Sequence, residues 1–221
     1  MIGFFRDNAA EIGALTLEHC TLVGLSLLIA SAIGVPLGIL ITRRRDLAGR
    51  VINGANICMT IPSIALFGLM LPVLAVFGHG LGKVPAVAAL VLYSQLPIIR
   101  NTYVAIRNVP PAVVDAGRGM GMGTMQLLRE VEIPLAAPVI LAGLRTAAVM
   151  NIGIAAIAAY IGAGGLGVYI QQGIDRVYDE MILCGALCVS LLAIGVDGAM
   201  ALLERIMTPK GLRVERRVKG S

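Results

Sequence analysis

The chain has no tryptophan, and its five Tyr and four Phe are scattered, so no aromatic cage for a cation is indicated within it. Charge is also scarce. Only 14% of residues are Asp, Glu, Lys or Arg, against roughly 25% in soluble domains. With 57% hydrophobic residues and a mean hydropathy of +0.87, that scarcity points to a polytopic membrane protein. There are three lysines, at 83, 210 and 219, and none closes a G-x-x-x-x-G-K-[ST] sequence. Without that phosphate-binding loop the chain is not expected to hydrolyse ATP itself. The cysteines at 20, 58, 184 and 188 lie in or beside apolar segments and form neither a disulfide framework nor a zinc set. Cys184 and Cys188 share a helical face and read as packing residues, and His79 reads as a surface residue with no ligand partners near it. No basic start runs into an apolar core and cleavage site, so no cleaved signal peptide is expected.

What is present is a series of apolar blocks. Residues 20–41 form a first span, with small residues every fourth position at Ser26, Ala30, Gly34 and Gly38. Such a stripe admits another helix closely, because packing drives association in lipid. Residues 51–77 form a second block interrupted by Pro62 and Pro72, a kinked segment suited to line a path. Spans over 85–106, 139–160 and 181–203 follow. The later half of the 85–106 span is polar, carrying Arg100 and Asn101. Residues 1–18 are mixed polar and suit a short amphipathic helix at the membrane surface.

Gly162-Ala163-Gly164-Gly165-Leu166-Gly167 satisfies G-x-G-x-x-G literally, but a dinucleotide site needs a strand before it and a βαβ setting. A spanning segment precedes it here. A gate or re-entrant turn near the outer mouth is the better reading.

Charge placement sets the topology. Fifteen of the eighteen Lys and Arg fall in loops and a tail that five spans put on one side; Arg6, Lys83 and Arg176 fall on the other. The positive-inside rule places the first set, with the C-terminus, in the cytoplasm. That distribution also accounts for the net charge of +5 without nucleic acid.

The longest polar segment, Pro110 to Pro138, lies on the cytoplasmic side. Pro110 and Pro111 suit a helix start. Glycines at 117, 119, 121 and 123 suit a sharp bend, and Thr124 suits the N-cap of a second helix reaching Val131. Pro134 and Pro138 are expected to interrupt any helix that follows.

This segment resembles the cytoplasmic coupling loop of ABC-importer permeases, whose motif is EAA, three residues, G, nine residues, I-x-L-P. The matching positions are Asp115-Ala116-Gly117, Gly121 and Val131-Glu132-Ile133-Pro134. They depart by Asp for Glu, Gly for the second Ala, and Val-x-Ile for Ile-x-Leu. The flanks LPIIRNTYVAIRNVPPAVVDAGRGMGM and AAYIGAGGLGVYI are similar to permease subunits of osmoprotectant importers for glycine betaine, choline and carnitine, over residues 16–205. The resemblance implies an all-α type I importer permease of about five spans in the bacterial inner membrane. It implies an ATP-binding subunit carrying ATP and Mg²⁺ that grips the coupling positions Asp115, Ala116, Gly117, Gly121, Val131, Ile133 and Pro134. It also implies a second permease subunit, identical or paired, and a substrate-binding protein that supplies selectivity. No cofactor is expected in this chain. A methionine importer permease, also of five spans, is the nearer alternative; a secondary transporter or channel without an ATPase is the different-class one.

Three segments are expected: a periplasmic start at 1–18, a transmembrane region at 19–205 with the coupling loop at 108–138, and a basic cytoplasmic tail at 206–221. Candidate path or gate residues are Met59, Pro62, Ser63, Tyr93, Gln95, Asn151, Gly164 and Gly165. Arg145 and Asp197 each lie six residues from the cytoplasmic end of their span, so antiparallel spans bring them level: either the two pair, or Arg145 reaches to the headgroups and Asp197 meets water near the path. Either alone would cost ~2.5–3.5 kcal/mol at a helix centre.

Overall fold

A computed structural model describes residues 2–207. The expected tail lies outside these except for Ile206 and Met207. All regular elements among the described residues are helical. In order they are α1 (Ile2–Asp7), α2 (Ala9–Arg43), α3 (Arg45–Thr60), α4 (Ser63–Ala75), α5 (Lys83–Arg107), α6 (Pro111–Gly119), α7 (Thr124–Leu127), α8 (Ile133–Ile157), α9 (Gly167–Arg176) and α10 (Asp179–Met207). A π-helical turn, Leu128–Glu132, joins α7 to α8, and a 3-10 turn, Ala158–Ile161, closes α8. Four stretches are long and apolar enough to cross a membrane, or five if the bent pair α3–α4 counts as one span.

The core is the triple contact of α2, α5 and α8. The small stripe of α2 packs on α5: a Cβ on Gly34 would stand 2.8 Å from Ile98, and one on Gly38 2.6 Å from Thr102. Gly143 of α8 approaches Asn101 and the Pro97 carbonyl as closely. Without lipid-expelling hydrophobicity between helices, this intimacy holds the spans together. Around it, Leu22, Phe67, Leu90, Tyr93 and Ile152 fill the outer half, and Ile41, Ala48, Leu96 and Ile99 fill part of the inner half.

Two boundaries differ from the sequence reading. The first spanning helix begins at Ala9, so most of the mixed polar start belongs to it. At ~1.5 Å per residue, α2 outreaches the hydrocarbon core and projects beyond the membrane. Its polar first turns are held by protein: Glu11 accepts a 3.0 Å hydrogen bond from the Tyr169 hydroxyl, against which Phe4 also packs edge-on.

The second difference concerns Pro134 and Pro138, which do not stop the helix. A proline lacks the N–H that the carbonyl four residues back would accept, and its ring crowds that carbonyl. The π turn at Leu128–Glu132 widens the backbone ahead of Pro134, which then sits in the first turn of α8. Pro138 remains inside α8. The expected helix over 124–131 is thus four α-helical residues continuing through the π turn into the span. Gly123, not Thr124, occupies its N-cap, and no side-chain cap is made.

Candidate functional site

The segment from α6 to the π turn forms a knob. Gly121, at φ +82°, reverses the chain after α6: the Met122 N–H donates to the Gly117 carbonyl at 3.1 Å and the Gly121 N–H to Arg118 at 2.9 Å. That pairing is the Schellman helix stop, which requires the left-handed conformation at its turning residue. Gly117 is buried, and a Cβ there would meet Leu127 at 2.6 Å, so α6 and α7 lie in direct contact. Asp115 and Ala116 are exposed, Asp115 lying 3.5 Å from Arg118. Val131 and Ile133 are half-buried at the root, and Pro134 is exposed. Ile133 packs with Ile106, Val109 and Ala136, which ties the knob to the cytoplasmic ends of α5 and α8. The tip presents Met120 to solvent at 77% exposure, and Met125, also exposed, borders a groove lined by Pro36, Ile39 and Leu40 of α2. A rigid base with an exposed apolar tip can seat in a cleft of another protein and carry force to two spans.

Glu132, unremarked in the sequence except as the variable position of the motif, is buried and paired with Arg43 at the end of α2. The knob is therefore anchored to three spanning helices. The π turn aims Glu132 inward, a rotation that helical periodicity did not disclose.

Above the knob, Arg145 of α8 donates to Asp197 of α10 through Nε at 2.5 Å and a terminal nitrogen at 2.7 Å, with Glu204 at 3.6 Å. The two-pronged bond holds α8 and α10 in register. Glu204, seven residues beyond Asp197 on the same helix, adds a second carboxylate that residue counting from the span ends does not reveal.

The second block breaks where Pro62 stands, with a bend of 102° between α3 and α4. Tyr93 is buried and its hydroxyl donates to the Ile61 carbonyl, satisfying a backbone group freed by the break. Met59 and Pro62 are exposed, and Ser63 begins α4 half-buried. Gln95 and Asn151 face the helix core. Asn151 donates to Ser94 at 2.8 Å and Ser26 at 3.3 Å, a polar tie across α8, α5 and α2. The path candidates thus divide: Met59 and Pro62 lie at an open surface, while Tyr93, Gln95 and Asn151 are packed inside this chain.

At the other end, Gly162, Gly164 and Gly165 all have positive φ, and the turn folds back so that Gly167 lies against the Ala156 carbonyl. Ala163 and Leu166 are fully buried. Glu18 of α2 accepts the Gly165 N–H at 2.9 Å and pairs with Lys83 at 2.6 Å. His19 Nε2 lies 3.0 Å from the Ile152 carbonyl beneath. The turn is therefore clasped by the third turn of α2 and the start of α5. The sequence offered a signal for this clasp: Glu18 and Lys83 are charges at the outer ends of two spans. In the adjoining α9, burial, and then the Glu11 carboxylate, push the Tyr169 pKa up, so its hydroxyl remains a donor.

Comparison with known proteins matches residues 34–209 to the family described as binding-protein-dependent transport system inner membrane component. The chain is 52% identical to the osmoprotectant import permease protein OsmW of Salmonella typhimurium, over 96% of this chain and 99% of that one. It is 42% identical to the choline transport system permease protein OpuBB of Bacillus subtilis, over 96% of each. The glycine betaine/carnitine/choline transport system permease protein OpuCB of the same organism is 43% identical, also over 96% of each. Among solved structures, an inward-facing MetNI methionine ABC transporter superposes with a TM-score of 0.80 at 25% identity, covering 90% of this chain and 96% of that one. An amino acid ABC transporter superposes at 0.73 and 21% identity, covering 91% and 96%, a likeness of fold.

Proposed function

The chain belongs to the family of binding-protein-dependent transport system inner membrane components, and on that premise we propose that it is the permease subunit of an ATP-driven importer of osmoprotectants: glycine betaine, choline or carnitine. The observation that carries the cargo is the 52% identity to OsmW along nearly the whole of both chains. The methionine reading draws on a likeness of 25% identity and is the weaker one.

In this reading the knob formed by α6, α7 and the π turn seats in a cleft of an ATP-binding subunit, which carries the ATP and Mg²⁺ and performs the hydrolysis. A second permease subunit completes the path, and a substrate-binding protein delivers the solute to the outer face. Closure of two ATP-binding subunits swings the knobs. Arg43–Glu132 and Arg145–Asp197 pass that motion to α2, α8 and α10 as rigid levers. The swing biases the path between inward- and outward-open states, which need differ by only a few kcal/mol.

The test is uptake into proteoliposomes holding this chain with its ATP-binding, permease and binding-protein partners. Glycine betaine, choline or carnitine should accumulate only when ATP is supplied on the side of the ATP-binding subunit. Accumulation of methionine in preference to all three would overturn the cargo. Uptake indifferent to ATP would replace the importer with a secondary transporter or channel.

A further inference from the structure

The helix α3 is amphipathic in a way that its place in the molecule does not explain. One face, carrying Ala48, Val51, Ile52 and Ala55, packs with Ile41, Leu96 and Ile99. The opposite face is exposed and carries Asp46, Arg50, Asn53, Asn56 and Thr60, with Ile57 as its one large apolar residue. These positions recur at intervals of three and four, so they form one continuous polar stripe.

The depth of that stripe can be placed. Its upper end is the break at Ile61, which the Tyr93 hydroxyl holds against α5. Tyr93 stands ten residues from Lys83, at one end of α5, and fourteen from Arg107, at the other. The break is therefore near the middle of the span. The lower end of α3 joins the cytoplasmic end of α2 through Arg44. At ~1.5 Å per residue, Asn56 and Asn53 lie about 6 Å and 11 Å along the helix from Thr60, within the inner half of a hydrocarbon core ~30 Å thick. Thr60 satisfies its hydroxyl on the Ile57 carbonyl at 2.7 Å. Asn53 and Asn56 are exposed. Exposed amides at that depth are expelled from lipid and persist where water or protein meets them.

We propose that Asn53, Asn56 and Thr60 line the cytoplasmic half of the solute path and pass a small cationic or zwitterionic solute over neutral dipoles. This rests on the importer reading above. The stripe offers amide and hydroxyl oxygens to a quaternary ammonium head and amide N–H groups to a carboxylate, with no full charge at membrane depth to trap either. Its charges, Asp46 and Arg50, 3.8 Å apart, stand at the cytoplasmic mouth. The path therefore turns to the asparagine face of α3, and Met59 belongs to the opposite flank.

The test places single cysteines at positions 53, 56 and 60, and at Val51 and Ala55 on the packed face, after the native cysteines are replaced by serine or alanine. Each variant is assembled with its partner subunits in proteoliposomes. A small impermeant thiol reagent is applied from the cytoplasmic side with and without ATP and vanadate. Asn53→Cys, Asn56→Cys and Thr60→Cys should react several-fold faster than Val51→Cys and Ala55→Cys, and vanadate trapping should slow them. In a companion uptake assay, Asn56→Lys should depress uptake of the cation choline several-fold more than that of net-neutral glycine betaine. Silence at 53, 56 and 60 while an added control, Arg50→Cys at the cytoplasmic mouth, reacts, with ATP-driven uptake intact, would overturn the proposal and leave the importer reading standing. Reaction at 53, 56 and 60 that ignores nucleotide, in vesicles whose uptake ignores ATP, would overturn both.

Discussion

Val177 carries a β-branched side chain at φ +51°, a conformation that glycine adopts freely and valine does not. It stands between α9 and α10 with 86% of its surface exposed, so it gains no packing in return. Val177→Gly should stabilise the subunit by about 1 kcal/mol, read as a higher melting temperature of the detergent-purified complex. Gly121 is the converse case. Its surroundings are open, so the demand is on the backbone alone. Gly121→Asn, a residue that tolerates the left-handed region, should retain most uptake, whereas Gly121→Val should lose it while the chain still inserts. Arg145 and Asp197 can be tested as a pair. Each single alanine leaves a charge without its partner, so each should lower the yield of assembled complex, and the double variant should lose less than the sum. The coupling should amount to about 0.5–3 kcal/mol, and Glu204, still beside Arg145 in Asp197→Ala, should soften that variant.

At the scale of elements, the sequence disclosed what repeats and concealed what bends. The stripe Ser26–Ala30–Gly34–Gly38 announced the α2–α5 contact because a four-residue interval maps onto one helical face. The Arg145–Asp197 level was legible because equal depth follows from counting residues along antiparallel spans. Pro134 misled, since a π turn absorbs a proline at no visible cost in composition, and nothing in LREVE marks that turn. The same turn hid Glu132, whose inward aim depends on it. The clasp of Glu18, Lys83 and the glycine turn was missed because it joins three segments far apart in the chain. Of the two prolines read as interruptions, Pro62 marks the break and Pro72 stays inside α4, and the support of the break, the Tyr93 hydroxyl, comes only with the fold. Tyr93→Phe removes that donor from the half-buried Ile61 carbonyl, at about 0.5–1.5 kcal/mol. The melting temperature should fall, and uptake should fall with it if the bend holds the path open.

Across the whole molecule, both ends of the span bundle are tied: above by Glu18–Lys83 and the glycine turn, below by Arg43–Glu132 and Arg145–Asp197. The levers lead to a knob whose Met120 is 77% exposed among the described residues, while Met125 borders a groove with Pro36, Ile39 and Leu40 of α2. In the proposed function this knob is where an ATP-binding subunit drives the permease. The most direct measurement is chemical cross-linking in membranes carrying the full complex, with cysteine at Met120 in a background free of the native cysteines and a short bifunctional thiol reagent. A single adduct between this chain and the ATP-binding subunit should form, with a yield that changes when vanadate traps ATP. Efficient modification of that cysteine without any adduct to the ATP-binding subunit, in vesicles that still take up solute on ATP, would contradict it.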